Sequence, residues 1–220
     1  MRIAILLFDG MTALDAIGPY EVLSNLPGAD VKFVADRRGM KRADTRALRL
    51  SADFELAEVT AAEIVVIPGG PGDQLVIENE AILKWLRAAH EASRWTTSVC
   101  SGSLILGAAG LLRGKRATSH WLRLEHLRAF GAIPIHERVV EDGKIITAAG
   151  VSAGIDMALR LAQIIGGDDL AQGIQLGIEY DPQPPFDAGS PETAPPYIVE
   201  RARLSVEQVL AKRAALINPT

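Results

Sequence analysis

Cysteine, excess positive charge and long apolar runs are all scarce in this chain, and each shortage removes a class of protein from consideration. One cysteine, Cys100, occurs in 220 residues, so no intramolecular disulfide can form, and a cytoplasmic, reducing location suits the chain. Acidic residues outnumber basic ones, 27 against 23, for a net charge of -4. Nucleic-acid affinity is supplied largely by clustered Lys and Arg, so no nucleic-acid partner is expected and a small neutral substrate is. The apolar start, residues 3–8, is too short for a signal-peptide core or a membrane span and reads as a first strand, so no membrane partner is expected either. The histidines His90, His120, His126 and His136 show no metal-ligand spacing, and no metal is expected. None of them has Glu two positions on, so a Cys-His-Glu glutaminase triad has no obvious source. Gly110-Leu-Leu-Arg-Gly114-Lys115-Arg116 is one residue short of a P-loop and lacks the Ser or Thr that would hold magnesium.

With 48% hydrophobic and 23% charged residues the chain can bury one sizeable core, and a single domain over residues 1–220 is expected. Strand-like runs alternate with helical ones: 3–8 then 14–26, 31–35, 64–67 then 81–92, and 95–99 then 103–112. Such alternation implies an α/β fold whose parallel sheet carries helices on both faces. Two stretches depart from it. Residues 138–147 hold Asp142-Gly143 between β-branched runs and read as a hairpin, and a second hairpin is a weaker reading over 38–49. Helical patterns return over 153–165, 170–178 and 198–216. Between the last two, residues 181–196 carry six prolines and form a connector, with Tyr180 and Phe186 giving it something to bury. The amphipathic 198–216 helix needs a cover, its own domain or a second subunit.

In open parallel sheets the ligand crevice lies beyond the carboxyl ends of the strands. Cys100 sits at one such end, where 95–99 gives way to an Ala/Leu/Gly-rich helix, and a side chain on so sharp a turn is lifted out of the sheet. The following helix points free amides at the sulfur, so Cys100 is expected to be ionised far more than an ordinary thiol. The competing role is a small buried hydrophobe. After 64–67 comes Pro68-Gly69-Gly70-Pro71-Gly72, whose Gly70 amide, with that of Ser101, is placed to stabilise charge on a substrate, although the same loop also reads as a plain tight turn. After the first strand, Asp15 lies among apolar residues; beside a thiolate its pKa would rise, making it a proton donor or water activator near neutral pH. Its plainer role is a helix N-cap. Glu21 is the competing carboxylate and reads as a solvated charge. His120 follows a possible strand end pointing into the same crevice, and a structural histidine is the competing role.

At this point the chain resembles the ThiJ/PfpI superfamily, the class I glutamine amidotransferase-like proteins, and within it the isonitrile hydratases. The resemblance rests on Leu14-Asp15-Ala-Ile-Gly18-Pro19-Tyr-Glu21, on Val66-Ile-Pro68-Gly69-Gly70, on Thr97-Ser-Val-Cys100-Ser-Gly102 with Gly114-Lys-Arg-Ala-Thr-Ser-His120-Trp121, and on Tyr180-Asp-Pro-Gln-Pro-Pro-Phe186. It implies a flavodoxin-like core with a nucleophile elbow, Cys100 as nucleophile, Asp15 as the essential acid, no cofactor and a homodimer. Ser101 takes a position where isonitrile hydratases typically carry Thr, keeping the hydroxyl and the amide. The implied chemistry is thiolate attack on the terminal isonitrile carbon, a proton from Asp15, and water attack on the resulting thioimidate to release an N-substituted formamide. Val151, after the 138–147 hairpin, is then a candidate for the apolar pocket wall. Two alternatives stand beside this: a glyoxalase or deglycase-like enzyme of the same superfamily acting on small aldehydes, and a non-enzymatic oxidative stress sensor built on Cys100. Relatives that regulate transcription carry a helix-turn-helix after this domain, and none is expected here.

Overall fold

Adjacent apolar residues at the centre of the chain build a strand buried from both sides. Ile64, Val65, Val66 and Ile67 are all buried, and since neighbouring strand residues point to opposite faces, helices cover the sheet above and below them. The structure is a computed structural model, described over residues 1–205, and the chain divides into two units, Met1–Tyr180 and Asp181–Thr220.

The first unit runs β1 (Arg2–Leu6), α1 (Ala13–Leu23), β2 (Asp30–Ala35), β3 (Gly39–Arg42), β4 (Arg49–Ala52), β5 (Phe54–Glu55), β6 (Ile64–Ile67), α2 (Asp73–Ile77), α3 (Glu80–Ala92), β7 (Trp95–Val99), α4 (Gly102–Ala108), β8 (Arg116–Ala117), β9 (Ile133–Pro134), β10 (Val139–Asp142), β11 (Ile145–Ala148), α5 (Ala153–Gly166) and α6 (Asp168–Gly177). The main sheet has the order β10-β11-β7-β6-β1-β2-β5 and is parallel except for the β10–β11 hairpin. That hairpin turns through Gly143 at φ 65 with Asp142 paired to Ile145, the two-residue loop that a glycine in first place favours. β3 and β4 form the second hairpin, Gly39 opposite Ala52, as a separate two-stranded sheet. α1 packs on α5, and α4 on α2 and α3, giving two groups of helices.

The largest differences from the sequence expectation are at three element ends. β1 stops at Leu6 and α1 at Leu23, and α4 stops at Ala108, because Gly110 turns left-handed at φ 82. In the second unit, residues 181–195 have no regular structure and 196–205 are helical, while the remainder of the expected 198–216 helix lies outside the described residues. The burial expected of Phe186 is corrected: its ring is 77% exposed. No helix among the described residues is long and apolar enough to cross a membrane.

The sheet order fixes where a site can form. β1 lies between β2 and β6, so the chain leaves β1 and β6 in opposite directions and opens a crevice beyond their carboxyl ends. Register aligns those ends: Ile67 pairs with Ser98, and Val99 with Ala148. The segments after β1, β6, β7 and β11 therefore start at one level.

Candidate active site

Cys100 occupies the turn between β7 and α4 in the left-handed region, at φ 58. A non-glycine residue held there costs about 1–3 kcal/mol unless its surroundings over-determine it. Here they do. The Cys100 amide donates to Ala148 O at 3.1 Å and Ala149 O at 2.9 Å, and its carbonyl accepts the hydroxyls of Ser103 at 3.2 Å and Ser119 at 3.0 Å. The loop after β6 presses against this turn without side chains between them. A Cβ on Gly102 would fall 2.1 Å from Ile67 O, and one on Gly69 would fall 2.4 Å from Ser101 N. Only glycine permits that approach.

Asp15 sits in the first turn of α1 and is fully buried. Its Oδ2 accepts the Gly69 amide at 2.9 Å, while Oδ1 is buried without a hydrogen-bond partner among the described residues. Burial is the main reason its pKa rises to about 7; the Gly69 amide and the neighbouring Cys100 thiol pull it down, and the Asp44 carboxylate pushes it further up. The helix cap is a different residue, Thr12, whose hydroxyl donates to Asp44 at 2.9 Å. Four residues on, Pro19 has no amide to return to the Asp15 carbonyl, so the sequence loosens the helix at this acid.

The expected thiolate is corrected by this environment. Cys100 is 7% exposed, and burial pushes its thiol well above the ordinary range, with the Asp15 carboxylate adding to the rise; the Ser101 and Val151 amides act in the opposite sense and do not prevail. The resting pair is therefore a thiol beside a carboxyl that titrates near neutrality. The Gly70 reading is corrected as well. Its amide, at φ 128, is committed to Ser101 Oγ at 3.0 Å. Ser101 is thus held by its hydroxyl, and its own amide faces the sulfur. Val151 is held at φ 28 with its amide toward Cys100, and its β-branched side chain is partly buried against the core.

His120 follows β8, which belongs to a separate β8–β9 sheet and not to the main one. Its ring lies against Gly150, where a Cβ would be 2.8 Å from Cδ2, and Nδ1 accepts the Leu122 amide at 3.3 Å, leaving the proton on Nε2. Burial, then Arg123, lower its pKa. Glu21 is exposed, a solvated charge. Sequence reasoning missed Asp73 and Arg123. Asp73, the first residue of α2, is buried and paired with Arg123 at 3.3 Å, and its charge acts on Cys100. An acid directly after the glycine loop was the available signal for Asp73; nothing local marks Arg123.

A parallel α/β sheet carrying a cysteine on a strained strand-to-helix turn, with a buried carboxyl beside it, defines a cysteine-dependent α/β enzyme scaffold. The chain belongs to the DJ-1/PfpI family, whose model matches residues 1–164. It is 43% identical to the isonitrile hydratase of Pseudomonas putida over 98% of this chain and 96% of that protein. A crystal structure of a ThiJ/PfpI family protein from Pseudomonas syringae superposes with a TM-score of 0.89 at 38% identity, covering 96% of this chain and 86% of the other. A deglycase of Thermococcus kodakarensis is 29% identical over 67% of this chain and 89% of its own length.

Proposed function

We propose that the protein hydrates isonitriles to N-substituted formamides. The observation that carries this reading is the Cys100–Asp15 pair, two buried neighbouring groups that influence each other's ionisation, in a chain 43% identical over nearly its full length to an isonitrile hydratase. An isonitrile, R–N≡C, is electrophilic at its terminal carbon and needs a nucleophile and a proton at that same carbon. As the Cys100 sulfur adds, its proton passes to the Asp15 carboxylate, and the resulting carboxylic acid protonates the carbon to give the thioimidate R–N=CH–S. The Ser101 and Val151 amides steady the sulfur while it carries charge. Asp15, a carboxylate again, takes a proton from water as the oxygen attacks the same carbon and nitrogen is protonated. Collapse of R–NH–CH(OH)–S expels sulfur, which recovers its proton, and releases R–NH–CHO. The sum is R–NC plus water, and no cofactor is consumed.

Formamide production from alkyl and aryl isonitriles tests the reading. Wild type should turn over, Cys100→Ala should lose about a thousandfold or more, and Asp15→Asn about 10²–10⁴-fold. Equal rates in all three overturn it. The deglycase relative uses the second reading's chemistry class: turnover of methylglyoxal with no reaction of isonitriles would favour that. We also expect the chain to act as a homodimer, and a monomer mass in sedimentation equilibrium would contradict it.

A further inference from the structure

The Asp73–Arg123 pair has no task in the chemistry above, yet it joins the two segments that hold the Cys100 turn, the loop after β6 and the turn after β8. The Asp73 amide donates to Gly70 O at 3.0 Å, and the Gly70 amide donates to Ser101 Oγ at 3.0 Å, so the Asp73 backbone is tied to the neighbour of the nucleophile. Arg123 arrives with the turn whose Ser119 hydroxyl donates to the Cys100 carbonyl, and its own amide donates to His120 O at 2.7 Å. The guanidinium reaches Asp73 Oδ2 through Nη2 at 3.3 Å, with side chains 19% and 7% exposed. Its Nε is buried and has no acceptor among the described residues. A desolvated donor of that kind is costly unless something accepts from it.

Around the reacting pair the charges are unequal. Asp15 and Asp73 act on Cys100, Asp44 acts on Asp15, and the guanidinium of Arg123 is taken up by Asp73. We propose that Asp73, by engaging Arg123, makes the crevice select isonitriles whose R group is uncharged, so that this ion pair is the specificity determinant for substrate charge. The inference rests on the isonitrile reading of the same site. An anionic R group meets carboxylates in a place with little water to screen them.

The test compares kcat/KM for methyl isocyanoacetate and isocyanoacetate, one skeleton with and without a charge, in wild type, Asp73→Asn and Arg123→Met. Wild type should prefer the ester by about tenfold or more. Asp73→Asn frees the guanidinium and should shrink or reverse that preference, whereas Arg123→Met leaves Asp73 unopposed and should widen it. Loss of packing alone would not move the two variants in opposite directions. The wild-type ratio needs no variant: equal turnover of acid and ester overturns the inference, as does an Asp73→Asn enzyme that hydrates the ester with an unchanged ratio. If wild type converts neither compound nor any simple alkyl isonitrile, the isonitrile reading has failed; if it converts the ester but ignores charge, only this inference has.

Discussion

Replacing Asp15 by asparagine should disable the enzyme and stabilise the fold, and the stabilisation should grow with pH. The Asp15 carboxyl ionises near 3.8 in an open chain and at about 7 when folded, chiefly because it is buried. A group whose folded pKa is raised contributes its stability in full below the unfolded value and loses it as pH climbs to the folded value. Each pH unit inside that window removes about 1.4 kcal/mol. Wild type should therefore lose about 2 kcal/mol between about pH 5 and about pH 7 from this carboxyl, and level off by about pH 8. Asparagine does not titrate, and its Oδ1 can still accept the Gly69 amide, so the variant isolates the charge. Its advantage over wild type should widen by about 2–3 kcal/mol from about pH 5 to about pH 8, or about 5–10 °C in Tm for a chain of this size. Urea midpoints of both proteins across that range, followed by circular dichroism, give the comparison. Parallel stability curves would refute the reasoning, because they would mean that the carboxyl ionises as easily in the crevice as in water.

The same ionisation predicts the rate profile: formamide production should rise with pH, be about tenfold down one unit below the Asp15 value of about 7, and plateau above it; a flat profile would show that the carboxyl takes no part. Lys144 donates to the carbonyls of His90, Glu91 and Ser93 at the end of α3, so Lys144→Met should cost about 1–3 kcal/mol in denaturant unfolding while leaving kcat intact. Gly102→Ala would drive a methyl to 2.1 Å from Ile67 O, and should cost about 3 kcal/mol or more together with most activity, since the elbow must move away from the glycine loop.

Much of the fold was legible because it is local. Strand β6, buried at every residue, reads directly from Ile64-Val65-Val66-Ile67, and the β10–β11 hairpin from Asp142-Gly143. The ends of α1 and α4 were less so, since capping and a left-handed Gly110, not apolar periodicity, decide where they stop. The site residues Cys100 and Asp15 could be picked out as an elbow cysteine and an acid in apolar company. The use of the Gly70 amide could not, because the hydroxyl that claims it comes from a segment 31 residues away.

The chain alone determined the alternation of strands and helices, the elbow and the acid that faces it, for these follow from side-chain pattern and backbone preference over a few residues. Tertiary structure decided which proton sits where. Asp15 meets Gly69 across 54 residues and Asp73 meets Arg123 across 50, and the exclusion of water that raises the carboxyl and holds the sulfur as a thiol is a joint product of all these segments. Ionisation answers to the dielectric around a group, and no stretch of sequence carries that by itself.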